Sequence, residues 1–90
     1  VGPRAEAAMA LVDLLTLGYQ NRARGSAADL ARRMLTAIQA DQTFADEVKV
    51  AAAIYLETRA YARALQLRDA VIEHVHPGLF PRAAVALDRA

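Results

Sequence analysis

Cysteine and tryptophan are absent from the 90 residues. Without cysteine there is neither a disulfide framework nor a thiolate metal site. Material for sheets is equally short, because nothing alternates apolar and polar residues for long enough to read as a strand. No apolar run reaches the roughly 20 residues that a membrane-spanning helix needs. The start, Val1-Gly2-Pro3-Arg4, carries no basic-then-apolar leader pattern. These absences lead to the expectation of a cytoplasmic protein with no membrane partner. Excess charge of one sign is missing too: 11 basic residues face 10 acidic ones, a net +1. That balance gives no general electrostatic case for nucleic acid.

The chain also lacks a Gly-rich phosphate loop, a His-Glu metal motif and a nucleophile elbow. No catalytic residue, cofactor or metal ion is therefore expected. His74 and His76 are the only histidines. Two positions apart on a helix, their rings point to different faces and cannot chelate one ion. Polar residues at a helix end are the reading they support.

What the chain has is alanine, 22 residues of it, within a 56% apolar composition. Alanine is the strongest helix former, and its small side chain lets helices approach closely. Ninety residues make a single domain, expected over 1–90. Four turn signals divide it into five expected helices. Pro3 suits the first turn of helix one, and Ala8, Leu11, Val12, Leu15 and Tyr19 form a stripe at helical spacing. Leu14 and Leu17 widen it, giving this helix two apolar faces. A helix of that kind is usually held between partners.

Asn21 to Gly25 is a polar break. Ser26, with Asp29 three residues on, is expected to cap helix two, whose buried stripe is Leu30, Ala31, Met34, Leu35 and Ile38. Asp41-Gln42-Thr43 ends it, and Thr43 is expected to cap helix three ahead of Asp46 and Glu47. Val48, Ala51, Ala52, Tyr55 and Leu56 mark helix three. After Thr58-Arg59-Ala60, helix four carries Tyr61, Ala64, Leu65, Val71, Ile72 and Val75. Pro77-Gly78 stops it, and Pro81 opens a short fifth helix through Val85 and Leu87.

The chain also matches itself. Leu14, Leu17, Gly18 and Asn21 align with Val48, Ala51, Ala52 and Tyr55 at an offset of 34, and Ala31, Leu35 and Ile38 align with Ala64, Arg68 and Val71 at 33. A two-helix period near 34 resembles the tetratricopeptide repeat. Leu14-x2-Leu17-Gly18-x2-Asn21 is similar to that family's W-x2-L-G-x2-Y stretch, and Ala31-x3-Leu35 to its A-x3-F element. The fold expected is all-α, two stacked antiparallel hairpins plus the short fifth helix. In that register the first helix of each hairpin lines a concave groove, which would be faced by Val12, Leu15, Tyr19, Arg22, Lys49, Ala53 and Leu56. Such a surface suits the apolar stripe of a partner's amphipathic helix.

Within tetratricopeptide-like proteins, the order of features resembles the type III secretion chaperones that hold the needle subunit together with a small helical co-chaperone. The features are the long apolar helix from Leu11 to Tyr19, the polar Gln20 to Gly25 turn, Ala27-Ala28-Asp29-Leu30-Ala31, Tyr61-Ala62-Arg63-Ala64-Leu65, and Pro77 to Pro81. The resemblance implies a cytoplasmic chaperone whose groove takes an amphipathic helix of an aggregation-prone secretion substrate. Two other readings stay open. Arg32 and Arg33, in a local basic cluster with Arg22 and Arg24 offset by Asp29, could present the recognition helix of a helix-turn-helix DNA binder. Spare apolar surface would suit a generic scaffold or a homodimer.

Overall fold

The computed structural model describes residues 2–16 and 24–75. Within them lie four α-helices: α1 (Pro3–Thr16), α2 (Arg24–Ala40), α3 (Asp46–Glu57) and α4 (Arg68–Val75). A 3-10 helix, Tyr61–Leu67, runs directly into α4. No strand occurs among the described residues. The fifth helix expected after Pro81 lies outside them, as do Leu17, Gly18, Tyr19 and Arg22.

The second helix sits at the centre. It packs on α1, on α3 and on the 3-10 helix, while α4 reaches back to α1. Its expected stripe holds: Ala31, Met34, Leu35 and Ile38 are buried, with Leu30 at the margin. Around them close Ala7, Ala10, Leu11 and Leu14 of α1, Val48 and Ala52 of α3, Ala64 and Leu67 of the 3-10 helix, and Ala70 and Val71 of α4. Alanine supplies much of each contact face, so the backbones can come close.

On α1 the two apolar faces divide between core and exterior. Ala7, Ala10, Leu11 and Leu14 point inward, whereas Val12 and Leu15 are exposed. Both of its faces are apolar, so periodicity alone cannot choose between them. Packing chose the face on which two alanines permit close approach to α2 and α4.

The segment 61–75 also departs from a single helix. Tyr61, Ala64, Leu67 and Ala70 recur every three residues. On an α-helix such a row drifts around the axis, but on a 3-10 helix, with three residues per turn, it forms one straight edge. Ala64 and Leu67 are fully buried along that edge. Leu65, expected in the core, is half-buried, and Arg68 lies outside beside Asp69 at 3.4 Å.

Two expected caps are corrected. Helix α2 begins at Arg24, upstream of Ser26, and the Asp29 carboxylate is engaged forward by Arg32 at 3.0 Å. Residue Ala45, not Thr43, occupies the N-cap of α3, without a side-chain cap bond. The Thr43 hydroxyl is drawn instead to Asp41. The acidic first turn, Asp46 and Glu47, is as expected.

At the other end of α3, Thr58-Arg59-Ala60 makes a tight reversal. The Ala60 amide donates to the Tyr55 carbonyl at 2.9 Å and the Arg59 amide to Leu56 at 3.2 Å. This is a Schellman pattern, which requires a left-handed residue just past the helix. Arg59 fills that role at φ 57°, a conformation that costs a side-chain-bearing residue about 1 kcal/mol or more.

Two outcomes follow for stability. Replacing Arg59 with glycine should raise the unfolding free energy by roughly 0.5–1 kcal/mol. Replacing Leu67 with alanine should lower it by about 2–5 kcal/mol, and clearly more than Leu65→Ala does. Urea unfolding reads both. Equal losses at Leu67 and Leu65 would contradict the straight 3-10 edge.

Candidate partner-binding surface

Close packing through alanine leaves larger apolar side chains outside. On α1, Met9, Val12 and Leu15 are three residues apart and exposed, Val12 most at 59%. Ala8, Met9, Val12 and Asp13 line a shallow depression of about 300 Å3 on this face. On α3, Val50 and Ile54 stand one turn apart and are 58% and 50% exposed. Scattered exposed leucines are ordinary, but rows of them on two helices are not.

The expected groove residues fall into three groups. Val12, Leu15 and Ala53 are exposed on the outer faces of α1 and α3. Lys49 and Leu56 are half-buried. Leu56 packs against the core, and the Lys49 carbonyl accepts a hydrogen bond from Gln39 Nε2. Tyr19 and Arg22 lie outside the described residues. Both α1 and α3 pack on α2, and no extensive contact joins them to each other. Met9, Val50 and Ile54 were not anticipated. The signal that could have found them is an apolar residue opposite the buried stripe, as Val50 and Ile54 stand opposite Val48 and Ala52.

A larger cleft of about 530 Å3 opens between the start of α1 and the second half of α2, lined by Pro3, Glu6, Arg32, Arg33, Thr36 and Ala40 among others. Glu6 Oε1 stands 3.9 Å from Arg33 Nη2. That is too long for a hydrogen bond, and this oxygen makes none. The pair is half-exposed at both ends, so it contributes little to stability.

The one buried carboxylate among the described residues is Asp41, in the turn between α2 and α3. Its Oδ1 accepts from the Thr43 amide at 2.7 Å and from the Thr43 hydroxyl at 2.5 Å. His74 Nε2, on α4, is 2.9 Å from Thr43 Oγ1 and 3.3 Å from Asp41 Oδ2. The His74 ring also lies on Phe44, with centroids 4.0 Å apart and planes tilted by 31°. These contacts assign the protons. Thr43 gives its hydroxyl hydrogen to Asp41, so Thr43 Oγ1 and Asp41 Oδ2 must share the Nε2 hydrogen of His74. The imidazole nitrogen facing the hydroxyl is therefore a donor. It cannot act as a base toward Thr43, as a nucleophile pair would require. The cluster ties α4 to the α2–α3 turn. Burial pushes the Asp41 carboxyl upward, but the two hydrogen bonds from Thr43 and the charge and hydrogen bond of His74 outweigh it, leaving it below the ordinary value.

His74 thus faces a carboxylate and a hydroxyl. His76 falls outside the described residues, and among those described no three His, Asp or Glu side chains gather as metal ligands do. No described helix is long and apolar enough to cross a membrane. No family model matches the chain, and neither does any curated protein or solved structure with which it was compared.

The depressed Asp41 carboxyl sets a pH dependence. A group more acidic folded than unfolded stabilises above its unfolded pKa, and that stability is lost as pH falls through the folded value. Asp41→Asn should therefore cost about 1–3 kcal/mol at neutral pH. The gap from the parent should close as pH falls from about 5 toward 2. Urea unfolding across that range measures the gap, and a gap that stays constant would contradict the role given to the carboxylate.

Proposed function

We propose that this chain is a protein-binding module that holds an amphipathic helix of its partner against exposed apolar rows on its outer faces. The observation that carries this reading is the row Met9, Val12 and Leu15 on α1, together with Val50 and Ile54 on α3. Burying such side chains supplies about 25 cal/mol per Å2 before ordering costs. An amphipathic helix presents a matching stripe at the same spacing.

The repeat reading gains support from burial at equivalent positions. Leu14 and Val48, Ala31 and Ala64, and Ile38 and Val71 are buried in both halves. Leu35 is buried and Arg68 is not, but Met34 and Leu67, also 33 apart, are both fully buried. The hydrophobic role has thus moved by one residue where the 3-10 helix replaces an α-helix. One feature differs from two hairpins stacked in an open row: α4 returns to α1. Within this proposal, the resemblance to needle-subunit chaperones supplies the class of partner, an export substrate whose helix would aggregate unprotected, with a small co-chaperone as a second.

The basic helix of the DNA-binding alternative has less to offer. Arg32 is paired with Asp29, and Arg33 stands beside Glu6. Carboxylates so near would repel the phosphate backbone that drives such binding.

The test is recovery of partner from source cells with tagged chain, comparing the parent with Leu15→Asp and Arg32→Ala. Leu15→Asp should lose the partner while circular dichroism shows an intact helix content. Arg32→Ala should keep it. A folded Leu15→Asp chain that retains its partner as the parent does would refute the assignment. A partner whose mass equals the chain's own would make the α1 row a homodimer surface.

A further inference from the structure

The outer face of α3 has a charge pattern as well as an apolar one. Asp46, Glu47, Val50, Ala53, Ile54 and Glu57 are all exposed. At 100° per residue they share an arc of about 120°. Along the helix axis, Val50, Ala53 and Ile54 lie between the carboxylates. Asp46 and Glu47 close one end and Glu57 the other, about 16 Å away at 1.5 Å per residue.

The two ends differ in cause. Asp46 and Glu47 sit in the first turn, where the positive end of the helix favours carboxylates. Glu57 sits in the last turn, where the negative end disfavours one. None of the three carboxylates forms an ion pair among the described residues. The basic residues nearest in sequence do not share the arc. Lys49 is half-buried at its margin, and Arg59 lies beyond the helix in the left-handed turn.

We propose that this face of α3 docks an amphipathic helix of a protein partner whose apolar stripe is bracketed by lysine or arginine about 11 positions apart, matching the spacing from Asp46 to Glu57. This rests on the protein-binding reading above and gives it a charge specificity, from carboxylates at both ends of one apolar stripe. Charge selects the occupant. A second copy would lay the same carboxylates against these, in parallel or antiparallel, and like charges would oppose. An anionic lipid surface is repelled for the same reason.

Two synthetic peptides of about 18 residues, a length of five helical turns, provide the test. They share a leucine stripe, flanked by lysine in one and by glutamate in the other. Fluorescence anisotropy reads affinity, and amide chemical shifts of the 15N-labelled chain read location. The lysine peptide should bind about tenfold tighter or more at low salt, with its advantage shrinking as salt rises. Its shifts should centre on α3. Glu57→Lys should erode the preference, and Val50→Asp should remove binding with helix content unchanged. Equal binding of the two peptides, shifts confined to Met9–Leu15, or binding of neither peptide would each overturn the α3 assignment. None of these outcomes touches the protein-binding reading itself, which stands or falls on the Leu15→Asp comparison with the cellular partner.

Discussion

Met34, Leu35 and Ile38 have no exposed surface, and most of the fold is arranged to keep them so. Three of the other elements pack directly on α2, and α4 completes the enclosure by way of α1 and the 3-10 helix. Each fully buried side chain of this size is worth about 1.5–3 kcal/mol. In a chain this short that is a large share of the whole stability. The Asp41–Thr43–His74 cluster belongs to the same constraint, because it fastens α4 to the turn where α2 ends.

The means of enclosing α2 has a cost on the outside. Ala7, Ala10, Ala52, Ala64 and Ala70 form much of the surface that meets the core, which permits close approach but uses little bulky side chain. Bulky residues are then left over, and they stand on the outer faces of α1 and α3. Under the proposed function these faces are a ready apolar surface for a partner's helix, and the carboxylates flanking the one on α3 select which helix.

Much of this architecture is legible in the sequence. The stripe of α2, the break at Asp41 and the tight turn at Thr58-Arg59-Ala60 can be read from period and turn chemistry, because each depends on local spacing. The buried face of α1 could not be read, since both faces are apolar and only the positions of α2 and α4 decide between them. Leu67 falls outside a 3.6-residue period, because in this segment the apolar residues recur every three. Local spacing alone suits Thr43 to a cap, whereas in the fold its hydroxyl goes to Asp41, which His74 of α4 also contacts. The exposed members of the candidate surface were legible in part. Val12 and Leu15 follow from a two-faced helix and Ala53 from the repeat register, whereas Val50 and Ile54 stand opposite the stripe that marks α3.

The central claim is that the outer faces of α1 and α3 are free in the isolated chain while the α2 core is closed. A soluble paramagnetic agent added to methyl-labelled protein, followed by NMR across a dilution series, tests this most directly. The methyl groups of Met9, Val12, Leu15, Val50 and Ile54 should relax strongly at every concentration. Those of Met34, Leu35, Ile38, Leu67 and Val71 should be protected throughout. Protection of the α1 and α3 methyls equal to that of the core, persisting at the lowest concentration, would contradict the claim, because the surface would already be covered by the chain itself.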